Sequence, residues 1–200
     1  MLDNISWLGQ SAIKMNFNKI IYFDPFNIKE QYNDADIIFI THSHYDHFSK
    51  EDILKCKKEN TIIVITNDIY NDVLELGFKK ENIIKVSPNN NYNIEGINFS
   101  TIPAYNINKP FHPKENNWVG YIITLNNTTY YIAGDTDITD ENKQVKCDVA
   151  FIPIGGKFTM DYIEASELVK IIKPKIAFPI HYGTIVGSKE DANKFYELIK

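Results

Sequence analysis

Asp36-Ile37-Ile38-Phe39-Ile40-Thr41-His42-Ser43-His44-Tyr45-Asp46-His47 decides how this chain is read. Residues 36–40 form an almost unbroken apolar run, the pattern of a strand covered on both faces. The run empties into polar residues at once, so the histidines leave the end of a strand, where α/β proteins gather ligand sites. Three of the chain's five histidines, His42, His44 and His47, fall within this one segment. In extended backbone His42 and His44 share a side, because side chains alternate. Asp46 and His47 follow a turn and can face a second centre. Neutral imidazoles with a carboxylate suit zinc, manganese or iron. The plain alternative is a solvated loop with chance histidines, and it accounts for neither the clustering nor the strand end.

Outward from this segment, the first part of the chain reads as short apolar runs between turns. Strands are expected at 3–8, 11–16 and 19–24, the last stopped by Asp24-Pro25-Phe26. Ser49 and Asp52 predict a capped helix over about 50–58. Residues 61–66 predict a buried strand, and 68–76 a short helix closed by Gly77. The second part repeats that grammar, with strands at 82–86, 97–103, 119–125 and 129–133. Asn126-Asn127 is a hairpin signal between the last two. A buried strand at 147–154 precedes a helix opened by Asp161 and Glu164, with apolar Ala165, Leu168, Val169 and Ile172 at helical spacing. Lys173-Pro174 stops that helix, 175–180 returns as a strand, and Ser188 starts the final helix. No linker or composition shift divides the chain, so one α/β domain with mixed sheets over residues 1–200 is expected.

Two more acceptors stand at strand ends. Asp135 follows the strand 129–133 in Ala133-Gly134-Asp135-Thr136-Asp137, and His181 follows 175–180 in Phe178-Pro179-Ile180-His181-Tyr182-Gly183. Singly, such an aspartate is most often a turn residue and such a histidine a packed one. Together with the first segment they put acceptors at the ends of three buried strands.

These motifs, in this order, resemble the metallo-β-lactamase-fold hydrolase superfamily. Thr41 to His47, Gly134-Asp135-Thr136 and Ile180-His181-Tyr182 carry the resemblance, and Ile5-Ser6-Trp7-Leu8-Gly9 and Asp24-Pro25-Phe26 add to it. It is most similar to a small stand-alone branch akin to ascorbate-6-phosphate lactonase and N-acyl-phosphatidylethanolamine phospholipase D. The resemblance implies a four-layer αββα sandwich with a binuclear metal site at one edge of its sheets. It implies that His42 and His44 hold one divalent ion, that Asp46, His47 and His181 hold the other, and that Asp135 bridges them. Two zinc ions are the first expectation, with manganese or iron as substitutes.

The first ion normally takes a third histidine, which many relatives place where this chain has Pro103-Ala104-Tyr105-Asn106. The one histidine left is His112, in Asn108-Lys109-Pro110-Phe111-His112-Pro113-Lys114. Three readings stay open. His112 completes the ligand set from a longer loop, or acts as an active-site acid or substrate-binding group, or is merely pinned between Phe111 and Pro113.

Paired cations activate water as the nucleophile, a metal-bound hydroxide, and polarise the bond under attack, so no serine or cysteine nucleophile is required. Cys56 and Cys147 read as structural, having neither metal nor disulfide spacing. Asp46 can pass a proton to the leaving group. Asp24 and Asp137 are candidates to orient ligand imidazoles, with turn geometry as the equal alternative. Tyr45, Tyr105, Asn106, Trp118, Lys157 and Tyr182 are candidates for the mouth. Lys109, Lys114 and Lys157 are candidates to meet an anionic substrate, although each alone reads as a solvated lysine. Gly155-Gly156 matches no nucleotide fingerprint and reads as a turn beside the site.

The expectation is a metal-dependent hydrolase of an ester-type bond, phosphodiester or lactone, in a small anionic molecule. A net charge of −5 argues against non-specific nucleic-acid binding, so an RNA-processing reading ranks lower. A phospholipid substrate finds no basic amphipathic segment to support it. A non-catalytic metal-binding protein would not need a bridging carboxylate. Flavo-diiron reductases resemble this fold but place a glutamate where His44 stands. The opening MLDNISWLGQSAIKM shows no basic start before an apolar stretch, so a cytoplasmic setting without a secretory leader is expected, with no membrane partner. Substrate identity and oligomeric state have no legible code here.

Overall fold

The computed structural model describes residues 3–200, so Met1 and Leu2, the start of the stretch read as leader-free, lie outside the described residues. The chain forms two compact units, one as far as Val86 and the other Ser87–Lys200. Each is built on a six-stranded mixed sheet, as the α/β expectation requires.

In the first unit, β1 (Ile5–Gly9), β2 (Ala12–Asn16) and β3 (Ile20–Phe23) make an antiparallel meander. β4 (Ala35–Phe39), β5 (Lys57–Thr66) and β6 (Ile83–Val86) then add in parallel, in sequence order. Helices α1 (Lys50–Cys56) and α2 (Tyr70–Glu75) make the crossovers. Ile38, Ile40, Ile63 and Ile65 pack with Ile53 and Cys56 of α1 and Val73 of α2 in one core. Each isoleucine so buried contributes on the order of 1.5–3 kcal/mol. Ser49 caps α1, its hydroxyl accepting from the Asp52 N–H at 3.4 Å.

The second unit runs antiparallel through β7 (Asn91–Ile94), β8 (Ile97–Pro103), β9 (Val119–Leu125) and β10 (Thr128–Ile132). β11 (Val149–Pro153) and β12 (Ile176–Ile180) extend it in parallel. Between and after them lie α3 (Tyr162–Ile172) and α4 (Lys189–Leu198), both opened by capping boxes, Asp161 with Glu164 and Ser188 with Asp191. Lys173 ends α3 in the left-handed region at φ +50°. Leu168 and Ile172 of α3 and Phe195 of α4 pack with Tyr131, Ala150 and Ile152 of the sheet.

Four elements differ from the sequence reading. β7 has no buried run to announce it: Asn91 and Asn93 are exposed, and the strand is held by its antiparallel pairing to β8. Its turn, Glu95-Gly96, has positive φ at both residues, like the Asn126-Asn127 hairpin that was expected. β5 begins at Lys57, directly after α1, because Ala35 of β4 pairs with Lys57 before the register shifts. The helix expected at 68–76 opens with a 3₁₀ turn, Asn67–Ile69. Cys147 precedes β11 rather than lying in it. Among the described residues, no helix is long and apolar enough to cross a membrane.

Candidate metal centre

In the first unit the parallel strands β3 and β4 end side by side, and the donors follow. Asp24 comes directly after β3, in the left-handed region at φ +43° and almost wholly buried. Its carboxylate accepts from the Thr41 N–H at 2.8 Å and the Thr41 hydroxyl at 2.7 Å. It also lies 2.7 Å from His47 Nδ1. A carboxylate can only accept, so His47 carries its proton on Nδ1 and turns the Nε2 lone pair outward. Nε2 lies 3.6 Å from Asp46 Oδ2.

The same logic passes to His42. The Thr41 hydroxyl spends its hydrogen on Asp24, so at 3.0 Å from His42 Nδ1 it must be the acceptor. His42 thus presents the lone pair of Nε2, which stands 3.0 Å from His44 Nδ1. Two nitrogens about 2.0–2.1 Å from one tetrahedral zinc would lie about 3.3 Å apart, so this pair suits a shared cation. Gln10, in the β1–β2 turn at φ +49°, donates its amide to Asp46 Oδ2 at 3.0 Å.

In the second unit Gly134, at φ +65°, turns the chain after β10 and delivers Asp135. His181 follows β12 at φ +58°, a conformation uncommon outside glycine and found at functional sites. One oxygen, Asp135 Oδ2, lies 3.3 Å from His112 Nε2 and 3.0 Å from His181 Nε2. All three side chains are at most 3 % exposed. Gly155 makes room for His181: a Cβ there would lie 2.8 Å from both Nδ1 and the carbonyl oxygen of His181. Glycine at 155 is thus required for clearance beside His181 rather than for a turn conformation.

His112 is carried on the loop between β8 and β9, and its ring meets Trp118 edge-on at 5.6 Å. Phe111 instead packs on Phe158 at 4.7 Å. Asn106 accepts through Oδ1 from the His112 N–H at 3.1 Å and lies 2.9 Å from His112 Nδ1.

Other candidates fall elsewhere. Asp137 accepts from the Ile107 N–H at 2.9 Å and pairs with Lys109 at 2.5 Å, so it organises the loop. Lys114 pairs with Glu141 at 2.7 Å and reaches the Tyr105 hydroxyl at 3.2 Å. Lys157 stands 4.9 Å over the Phe158 ring. Tyr45 is 66 % exposed between His44 and Asp46, whereas Tyr105 and Trp118 are buried. Burial pushes the thiols of Cys56 and Cys147 up to about 12, which leaves neither suited as a nucleophile. Gln10 was not legible as a functional residue, since a lone glutamine in a turn carries no motif. Thr41 could have been read from its place between the strand and the first histidine.

The sequence model of the β-lactamase superfamily domain matches residues 4–181. A metal-dependent hydrolase of Saccharolobus solfataricus is 34 % identical over 215 residues, covering 100 % of this chain and 92 % of that one. Another, from Thermococcus kodakarensis, is 30 % identical over 98 % of this chain and 91 % of its own. Among solved structures, a proposed metal-dependent hydrolase of Parabacteroides distasonis aligns with TM-score 0.81 and 27 % identity, over 98 % of this chain and 87 % of that one. A metallo hydrolase of Ignicoccus hospitalis shares the fold, with TM-score 0.77 over 98 % of this chain and 89 % of its own. The chain belongs to the β-lactamase superfamily and is a metal-dependent hydrolase of the metallo-β-lactamase fold.

Proposed function

We propose that this hydrolase cleaves an ester-type bond in a small molecule with a two-metal centre. His42, His44 and His112 would hold one ion, Asp46, His47 and His181 the other, and Asp135 would bridge. The observation that carries this reading is the single Asp135 oxygen faced by Nε2 of His112 and of His181 from two separate segments. The donor chemistry fits: all are imidazoles or carboxylates, and His42 and His47 are held in the tautomer that offers Nε2. Zinc suits this set, and manganese and iron suit imidazole–carboxylate donors as well.

When bound, a metal pair would lower the pKa of water toward neutrality and polarise the bond under attack. The side chains do the rest. Asp24 and Thr41 hold His47 and His42 in place, and Gly155 leaves room for His181. Asp46 would carry a proton from the attacking water to the leaving oxygen. Water's oxygen forms the new bond to the acyl carbon or phosphorus as the bond to the leaving oxygen breaks.

A lactone or carboxylic ester fits better than a phosphodiester. Two of the three lysines that would meet an anion are tied to carboxylates, Lys109 to Asp137 and Lys114 to Glu141. A phosphodiester is the second reading, with Lys157 as its cation.

Elemental analysis of protein purified without chelator tests the centre, with about two equivalents of metal expected. Asp135→Ala should then lose metal, and a panel of lactones, esters, thioesters and phosphodiesters should contain a substrate for the loaded protein. No bound metal, and none taken up on titration, would sink the reading. About one equivalent would return His112 to the role of acid or substrate-binding group.

A further inference from the structure

We propose that Asn106 is the positioning residue that makes His112 a metal ligand. The inference rests on the reading of His112 as a ligand in the centre proposed above. Asn106 grips His112 at three points. Its main-chain N–H donates to the His112 carbonyl at 2.8 Å. Its Oδ1 accepts from the His112 main-chain N–H at 3.1 Å, and the same Oδ1 lies 2.9 Å from His112 Nδ1. The two residues close a seven-residue loop on itself, so the imidazole is fixed relative to its own backbone.

Chemistry decides the direction of the third contact. An amide oxygen has no hydrogen, so His112 Nδ1 must be the protonated nitrogen, provided the amide is oriented as its other bonds require. They do require it: Asn106 Nδ2 donates to the Phe158 carbonyl at 2.9 Å, and Oδ1 faces the His112 main-chain N–H, which cannot accept. The amide cannot be flipped without setting donors against donors at His112 and acceptor against acceptor at Phe158. With Nδ1 protonated, Nε2 keeps its lone pair, and it is Nε2 that faces Asp135 at 3.3 Å. Asn106 is 7 % exposed and His112 1 %, so water competes little for these bonds. Trp118, 5.6 Å away and edge-on, bounds the ring on another side.

The grip also explains how a ligand can sit on a long loop. Main-chain bonds fasten the loop's base, from Ala104 N–H to the Trp118 carbonyl at 3.0 Å and from Asp137 N–H to the Tyr105 carbonyl at 3.0 Å. Asn106 extends that anchorage to the imidazole itself. Losing an outer partner of a metal-ligating histidine costs roughly 10–100-fold in metal affinity.

The test compares three substitutions in the metal-loaded protein by zinc titration against a competing chelator. His112→Ala should lose one of the two ions. Asn106→Leu removes the acceptor at similar volume and should weaken that same ion roughly 10–100-fold while leaving the other unchanged. Asn106→Asp keeps the acceptor for His112 but loses the donor to the Phe158 carbonyl, so it should bind that ion more tightly than Asn106→Leu does. Retention of both ions by His112→Ala would overturn the ligand reading. Loss of one ion by His112→Ala with wild-type affinity in Asn106→Leu would overturn the positioning role alone. Should Asn106→Leu fail to fold, nitrogen NMR of wild-type holoprotein decides: a slowly exchanging His112 Nδ1–H that shifts in Asn106→Asp is expected. A freely exchanging Nδ1–H, or one indifferent to Asn106→Asp, would refute the proposal.

Discussion

Gly155→Ala isolates the packing that delivers His181. Gly155 does not need glycine for its φ, so the substitution acts through space alone. The added Cβ would lie 2.7 Å from Val186 Cγ2 and 2.8 Å from both Nδ1 and the carbonyl oxygen of His181. Carbon atoms in good contact sit about 3.5–4.0 Å apart, so the overlap with Val186 is near 1 Å. Val186 can turn aside, but the His181 carbonyl is main chain in a residue already held at φ +58°. Overpacking of this kind costs about 1–3 kcal/mol, and the fixed backbone argues for about 3. At about 2–4 °C per kcal/mol for a chain of this size, Tm should fall by about 6–12 °C. Displaced imidazole should also shrink the stabilisation that zinc adds, with affinity falling roughly 10–100-fold. Calorimetry of the metal-free and zinc-loaded forms reads both effects. Gly77→Ala is the control: Gly77 has φ +75° with nothing within 4 Å, so alanine there costs about 1–2 kcal/mol through the backbone and leaves zinc affinity intact. A Gly155→Ala protein with wild-type Tm and wild-type zinc affinity would refute the reasoning.

Asp24→Ala strips the acceptor from His47 Nδ1 and from Thr41, and should weaken zinc roughly 10–100-fold in the same chelator competition; unchanged affinity would remove Asp24 from the centre. Gln10→Leu removes the amide that donates to Asp46 Oδ2 and should lower metal affinity about tenfold; unchanged affinity in that variant would make the contact incidental. With both thiols pushed up to about 12, iodoacetamide at mildly alkaline pH should spare Cys56 and Cys147 in native protein and modify both once urea unfolds it, as mass spectrometry would show. Lys109→Met breaks the pair with Asp137 and should leave KM for a phosphodiester substrate unchanged; a large rise would restore the anion-binding role.

How much was legible from the chain differs from residue to residue. The strand read at residues 36–40 was legible because a run buried on both faces, followed at once by polar residues, is a local pattern with few alternatives. The capped helices were readable for the same reason: Ser49, Asp161 and Ser188 act within three residues of themselves. β7 was not readable, because its exposed asparagines form a strand only through pairing with β8. For Lys109 and Lys114 the chain offers an anionic substrate or solvent as partners, whereas the carboxylates that hold them, Asp137 and Glu141, lie 28 and 27 residues away.

The sequence by itself determined the class of fold and the kind of chemistry, since strand periodicity, capping and the clustered imidazoles and carboxylates are properties of neighbouring residues. Only the tertiary structure decided which atom each donor offers. Asp24 stands 23 residues from His47, Gln10 36 from Asp46, and Gly155 reaches His181 across parallel strands. Tautomer, orientation and clearance depend on such partners, and chain folding alone brings them within hydrogen-bond distance.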